Sequence, residues 1–250
     1  MPNNQVIALW GSPGAGTTVT AVKIARELAN RKNNVVLVLC DDMTPTVPLI
    51  ISSSRDKKSL GDLLTMPTIN QIAIFQHLVP AGKTLSLLGY QEEENEITYG
   101  EYSADRASEL ISLLRGSAGQ VVADYIVIDC FHQPVVNVLT GAALEQADVV
   151  LRVTNADPKS LIYLKSQRQY LAEERFHYDQ HINILNNILP TQDYNLYENA
   201  CGGKAYLLPH LDALKTQFDQ GCLLESLSGR EARQYETVIQ TICKEVIIGE

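Results

Sequence analysis

The five cysteines, at 40, 130, 201, 222 and 243, form no C-x-x-C pair. An odd count without that spacing suits reduced thiols better than a disulfide framework, and no zinc or iron–sulfur centre is expected. Positive charge is scarce as well: 20 Lys and Arg stand against 29 Asp and Glu, for a formal net charge of −9. That balance argues against a surface that holds nucleic acid through a general basic field, although a local basic patch stays open. Long apolar runs are missing too. The leading MPNNQVIALW has no charged leader, and its apolar part is too brief for a signal sequence or a membrane span. A cytoplasmic protein with no membrane anchor of its own is expected, one that reaches a membrane only through partners.

What is present is a regular alternation. Short apolar runs at 5–10, 34–40, 84–90, 125–130, 148–153 and 182–186 predict strands buried on both faces of a parallel sheet. Between and after them, residues 17–31, 59–65, 103–115, 135–146, 158–173, 210–219 and 229–247 carry helical periodicity. This order predicts a doubly wound α/β fold: a mostly parallel sheet with helices on both faces and ligands at the carboxyl ends of the strands. At 250 residues the chain is long enough to bury a sizeable core. No repeat or linker divides it, so one domain over 1–250 is expected. In the last helix, Ala232, Tyr235, Val238, Ile239, Ile242, Cys243 and Val246 share a stripe that reads as packing against the sheet.

The first strand runs into GSPGAGTT, residues 11–18, and then into a helix. Gly11 and Gly16 have the spacing of a phosphate-binding loop, and Gly14 adds freedom where backbone N–H groups must turn inward around an anion. The helix from Thr17 aims its free amides and dipole at the same point. Thr18 holds the hydroxyl position that binds Mg²⁺ in such loops. Thr17, however, stands where the motif places a lysine. Corroborating acids follow two strands: Asp41 and Asp42 after the second, and Asp129 at the end of DYIVIDC. One such acid can hold the water shell of Mg²⁺ and another can orient an attacking water.

Several lesser features are set against blander readings. Cys40 and Cys130 flank the acids and read as small buried hydrophobes rather than a redox pair. His132 fits either a phosphate or partner contact or a structural hydrogen bond. His177 and His181 have i, i+4 spacing but precede a strand and lack a third ligand, so no metal is assigned to them. The acidic run at 91–96 reads as a solvated loop.

Taken together, GSPGAGTT, VVLVLCDD, SLGDLL, DYIVIDC, ALEQADVVLRVTNADPKSL, INILNNILP and YLLPHLDALKTQFDQGCLL resemble the MinD/ParA family of P-loop ATPases over nearly the whole chain. Within it, the loop with G-T-T looks closest to the CpaE/TadZ branch of pilus-assembly ATPase-like proteins. Many of those carry a receiver-like domain ahead of the loop; only ten residues precede Gly11, and none is expected here. The resemblance implies that ATP or ADP is held by Gly11, Ser12, Pro13, Gly14, Ala15, Gly16, Thr17 and Thr18. It implies Mg²⁺ beside Thr18, Asp129 and Asp41, with Asp41 as the catalytic switch acid. Asn186 would read adenine, and Leu208–Leu211, with Pro209 and His210, would pack beside the base. Asp129–His132 would form the second switch, coupled to the face of a nucleotide-promoted homodimer.

The family also carries a signature lysine one residue after the first glycine, and here that residue is Ser12. With both lysines gone, hydrolysis is expected to be weak or absent, because losing one transition-state charge contact costs about 10²–10³ in rate. Lys23 lies six residues into the helix, about 9 Å of rise from Thr17, too far to substitute. Arg152 and Lys159 are better placed to help. The implied role is a dimerising ATP-binding switch serving a pilus, secretion or conjugation machine. A nucleotide-independent pseudo-ATPase scaffold and an active ParA/MinD-type partitioning ATPase stay open beside it.

Overall fold

The computed structural model describes residues 4–51, 59–95, 97–116 and 122–250. Residue 96 of the acidic run lies outside them. Among the described residues eight strands form one sheet: β1 Gln5–Gly11, β2 Val35–Leu39, β3 Val79–Pro80, β4 Leu85–Gly89, β5 Tyr125–Asp129, β6 Val149–Asn155, β7 Ile182–Ile188 and β8 Ala205–Pro209. The helices are α1 Thr17–Asn30, α2 Val47–Ile50, α3 Leu60–Thr65, α4 Gln71–His77, α5 Ala104–Arg115, α6 Val138–Gln146, α7 Pro158–Tyr170, α8 Asn195–Ala200, α9 Asp212–Asp219 and α10 Arg230–Thr241. The strand order is β3-β4-β2-β5-β1-β6-β7-β8, and every pairing is parallel except β3 with β4. The predicted doubly wound sheet is therefore present.

Strand alternation sorts the core into two halves. From β1, Ile7 and Leu9 face Val22, Ile24 and Leu28 of α1, and Tyr235 and Ile239 of α10 close the same side. Val6, Ala8 and Trp10 face the other way, toward Leu110 and Leu114 of α5, Leu139 of α6 and Leu164 of α7. The stripe predicted on the last helix does pack on the sheet, but the helix widens after Thr241 into a π-helical segment, Ile242–Ile248, and stops at Gly249 with φ 77°. Sequence periodicity passed over β3, β8, α2, α4 and α8, all short, and β8 is half-buried at a sheet edge.

This topology decides where a ligand can sit. β1 lies between β5 and β6, with Leu9 opposite Asp129 and Gly11 opposite Val153. The helix after β1 leaves to one face and the helix after β6 to the other, opening a crevice at their carboxyl ends. Cys40 N donates to Asp129 O (3.0 Å) and Cys130 N to Leu9 O (2.8 Å), which draws the ends of β2, β5 and β1 together at that crevice.

Candidate functional site

The chain leaves β1 at Gly11 and closes a tight turn, with Ala15 N donating to Ser12 O (3.0 Å). Gly14 and Gly16 have φ of 75° and 82°, a region that L side chains rarely adopt. Gly11 is needed for closeness instead: a Cβ there would stand 1.8 Å from the Val153 carbonyl oxygen. Three asparagines steady the loop from β6 and β7. Asn186 Nδ2 donates to Ala15 O (2.7 Å), Asn155 Nδ2 to Gly14 O (3.4 Å), and Asn187 Nδ2 to Asn155 Oδ1 (2.8 Å).

Helices α3 to α7 each begin with a side chain that accepts from their first turn: Ser59, Asn70, Ser103, Asn137 and Asp157. Helix α1 does not, for its cap is Gly16 and its first turn carries no acid. The N–H groups of Gly14, Gly16, Thr17, Thr18 and Val19 have no acceptor among the described residues. Free amides at the positive end of a helix dipole suit an anion.

The loop opens on a cavity of about 700 Å³. Gly11, Ser12, Pro13, Gly14, Gly16, Thr17, Thr18, Asp41, Asp129, Asn186 and His210 line it. Ala15 and Pro209, expected among them, do not: Ala15 is fully buried beneath the loop, and Pro209 ends β8. Asp129 is 3% exposed, and burial pushes its carboxyl up to about 7 although the Thr18 hydroxyl beside it draws the value down. No cation pairs with it among the described residues. A buried carboxylate beside a hydroxyl, both at an anion cradle, is a donor set suited to a hard divalent cation that also takes ligand oxygens. Asp41 is held by Thr44 N (2.8 Å) and Met43 N (3.1 Å), while burial raises its carboxyl above the usual range. Asp42 turns away to accept from the Tyr99 hydroxyl (3.1 Å), so of the two acids after β2 only Asp41 lines the cavity.

No protein-family profile matches the chain, and no curated protein does. Solved structures do. A ParA family ATPase from Chlorobium tepidum superposes with TM-score 0.76 at 17% identity, over 95% of this chain and 97% of that one. The MinD cell division protein of Aquifex aeolicus gives 0.75 at 17%, over 98% and 97%. The septum site-determining protein MinD of Pyrococcus horikoshii, solved with Mg-ADP, gives 0.73 at 16%, over 98% of both chains. The fold is that of the MinD and ParA ATPases.

Within that fold the cations are not where the sequence suggested. Arg152 is buried on the sheet face opposite α1, and neither it nor Lys159 lines the cavity. Lys215 does, together with Leu214 and Phe218 of α9, Leu211 just before that helix, and His132. The 211, 214, 215, 218 spacing was the available signal for that face. Ser12 is 3% exposed and donates to Ser160 Oγ (2.9 Å), so its side chain is spent inside the protein. Cys40 and Cys130 are buried with thiols pushed well up by desolvation, which makes them inert. His181 accepts from Trp10 Nε1 (3.1 Å) through Nδ1 and donates through Nε2 to Phe176 O (2.8 Å). It is a neutral structural side chain, and His177 sits apart at φ 47°.

Lys23 also has a structural task. The residue is 5% exposed, and its ammonium donates to Gln217 Oε1 (2.6 Å), Leu223 O (2.6 Å) and Glu225 O (3.2 Å), tying α1 to α9 and the segment after it. Lys23→Ala leaves those acceptors without their donor in the interior and should destabilise the fold by about 3 kcal/mol, read as a fall in urea midpoint.

Proposed function

We propose that the chain is an ATP-binding switch of the MinD/ParA type, formed as one domain, that closes into a face-to-face homodimer and hydrolyses ATP slowly or not at all. The observation that carries this reading is the uncapped α1 and its glycine turn, opening beside a buried, uncompensated carboxylate. The free amides would hold the phosphates, and Thr18 and Asp129 the Mg²⁺, which supplies positive charge to the outer phosphates. Asn186 lends its Nδ2 to the loop, and its Oδ1, without a partner among the described residues, suits the adenine amino group. Asp41 would orient water. The P. horikoshii MinD with Mg-ADP supports nucleotide and metal as the ligand class. Thr17 and Ser12 make the loop a degenerate one, so binding rather than turnover is the expected output.

Two segments leaving the cavity expose apolar side chains: Met43 is 76% exposed and Val136 73%. Asn137 ties those segments together, its Nδ2 donating to Cys40 O (3.2 Å). This supports a dimer face that responds to the ligand. The resemblance to CpaE/TadZ proteins supports a pilus, secretion or conjugation machine as the client. No helix among the described residues is long and apolar enough to cross a membrane, and recruitment to one would fall to partners.

Light scattering should show a monomer without nucleotide and a dimer with ATP and Mg²⁺. Val136→Glu should abolish the dimer while calorimetry still records ATP binding. No heat with ATP, or self-association indifferent to it, would sink the switch and leave a nucleotide-independent scaffold.

A further inference from the structure

Beneath α7, on the face of the sheet away from α1, lies a second cavity of about 640 Å³ that shares no lining residue with the phosphate cavity. Among the described residues four cations line it, Arg152, Lys165, Arg168 and Lys204, against one carboxylate, Asp179. In a chain of formal charge −9 this is a local inversion of sign.

Arg152 is the unusual member. It rises from the middle of β6 and is 5% exposed. Its Nε and Nη2 donate to Asn183 Oδ1 (2.9 and 2.6 Å), and Nη2 also donates to Cys201 O (2.8 Å). The guanidinium carbon lies 4.6 Å from the centre of the Tyr178 ring. Every one of these partners is neutral. No carboxylate pairs with Arg152 among the described residues, and Nη1 has no partner among them. A buried charge without a counter-charge is expensive to keep, and the guanidinium cannot shed its proton to escape the cost. Lys165, Arg168 and Lys204 are exposed and form no ion pair among the described residues. The missing negative charge fits a ligand.

We propose that this cavity binds a small molecule bearing two or more phosphate groups, held by the Arg152 guanidinium within and by Lys165, Arg168 and Lys204 at its rim. Guanidinium is matched to phosphate in geometry, and the volume lies in the ordinary range of small-molecule sites. The concave shape decides against a nucleic-acid backbone, whose phosphates would meet the rim cations and not the buried Arg152. The site does not depend on ATP occupying the glycine loop.

The sole tryptophan reports on it. Trp10 has its ring centroid 6.2 Å from that of Tyr178 and 5.8 Å from that of His181, both of which line the cavity. The test titrates inorganic pyrophosphate into the full chain, without Mg²⁺, by calorimetry and Trp10 fluorescence. Arg152→Met risks the fold, so the working variant is Lys165→Ala/Arg168→Ala, whose exposed positions should leave the melting temperature unchanged. It should weaken the site that reports through Trp10 at least tenfold, and Thr18→Ala in the glycine loop should leave that site intact. Equal pyrophosphate binding by the rim variant and the unaltered chain would overturn the proposal. So would a signal lost in Thr18→Ala alone, or rim-dependent binding of a short DNA duplex where pyrophosphate fails to bind.

Discussion

Asp129→Asn is expected to melt at a higher temperature than the unaltered chain at pH 8, and to lose Mg²⁺-dependent nucleotide binding. Burial holds the folded carboxyl at about 7, against an ordinary value of 3.8. An acid whose folded pKa is raised binds its proton more readily in the native state, so this group disfavours folding as pH rises from about 4 to 7, and the penalty is complete above that. A shift of this size corresponds to roughly 4 kcal/mol at pH 8. The amide removes the charge and with it most of that penalty. At pH 4 the carboxyl is largely protonated in the native state, and the two proteins should melt close together. Thermal unfolding at both pH values, with calorimetry of ATP in the presence and absence of Mg²⁺, checks both halves. Equal melting at pH 8 would show that the carboxylate is already neutralised within the protein.

Thr17→Lys is expected to tighten ATP binding by about 10- to 100-fold, the worth of one hydrogen bond to a charged group. Thr17 opens α1, lines the cavity and is half-buried, so a longer side chain has room to extend toward the ligand. Without ligand the same ammonium faces the positive end of the helix dipole, which should cost about 0.5 kcal/mol of stability. The variant thus binds better and stands slightly worse, a pair of opposite signs that a general improvement in folding would not give. Ser12 stays locked to Ser160, so any rise in hydrolysis should remain far below that of an enzyme with both lysines. Unchanged affinity would mean that the turn does not cradle phosphate.

How far the sequence carried these conclusions depended on burial. Runs such as Val35–Leu39 and Tyr125–Asp129 are buried on both sides, and unbroken apolar strands of that kind announce a parallel sheet. The glycine loop was legible because its glycines answer two steric demands, a positive φ at Gly14 and Gly16 and close approach to Val153 at Gly11. β8 was missed because only Leu208 within it is fully buried, and α4 because it spans just Gln71–His77 behind its Asn70 cap. The cations failed for a reason of parity. Arg152 lies one residue before Val153, the partner of Gly11, and successive strand residues point to opposite faces, so it was bound to leave the loop. Lys215 was invisible from the loop itself, since only the fold of α9 brings it back to the cavity. The split between Asp41 and Asp42 needed Tyr99, fifty-seven positions away from the second acid, to be in place.

Both margins of the sheet end in proline. β3 is two residues long and stops at Pro80, and β8 finishes at Pro209, opposite Ile188. Proline offers no N–H to a neighbouring chain, and a very short border strand gives it little to pair with. Lateral growth of the sheet from copy to copy is therefore discouraged at each end. Filaments built by strand addition, and the amyloid-like stacking that exposed borders invite, are disfavoured by the architecture, which leaves loops and helices as the surfaces for the proposed dimer.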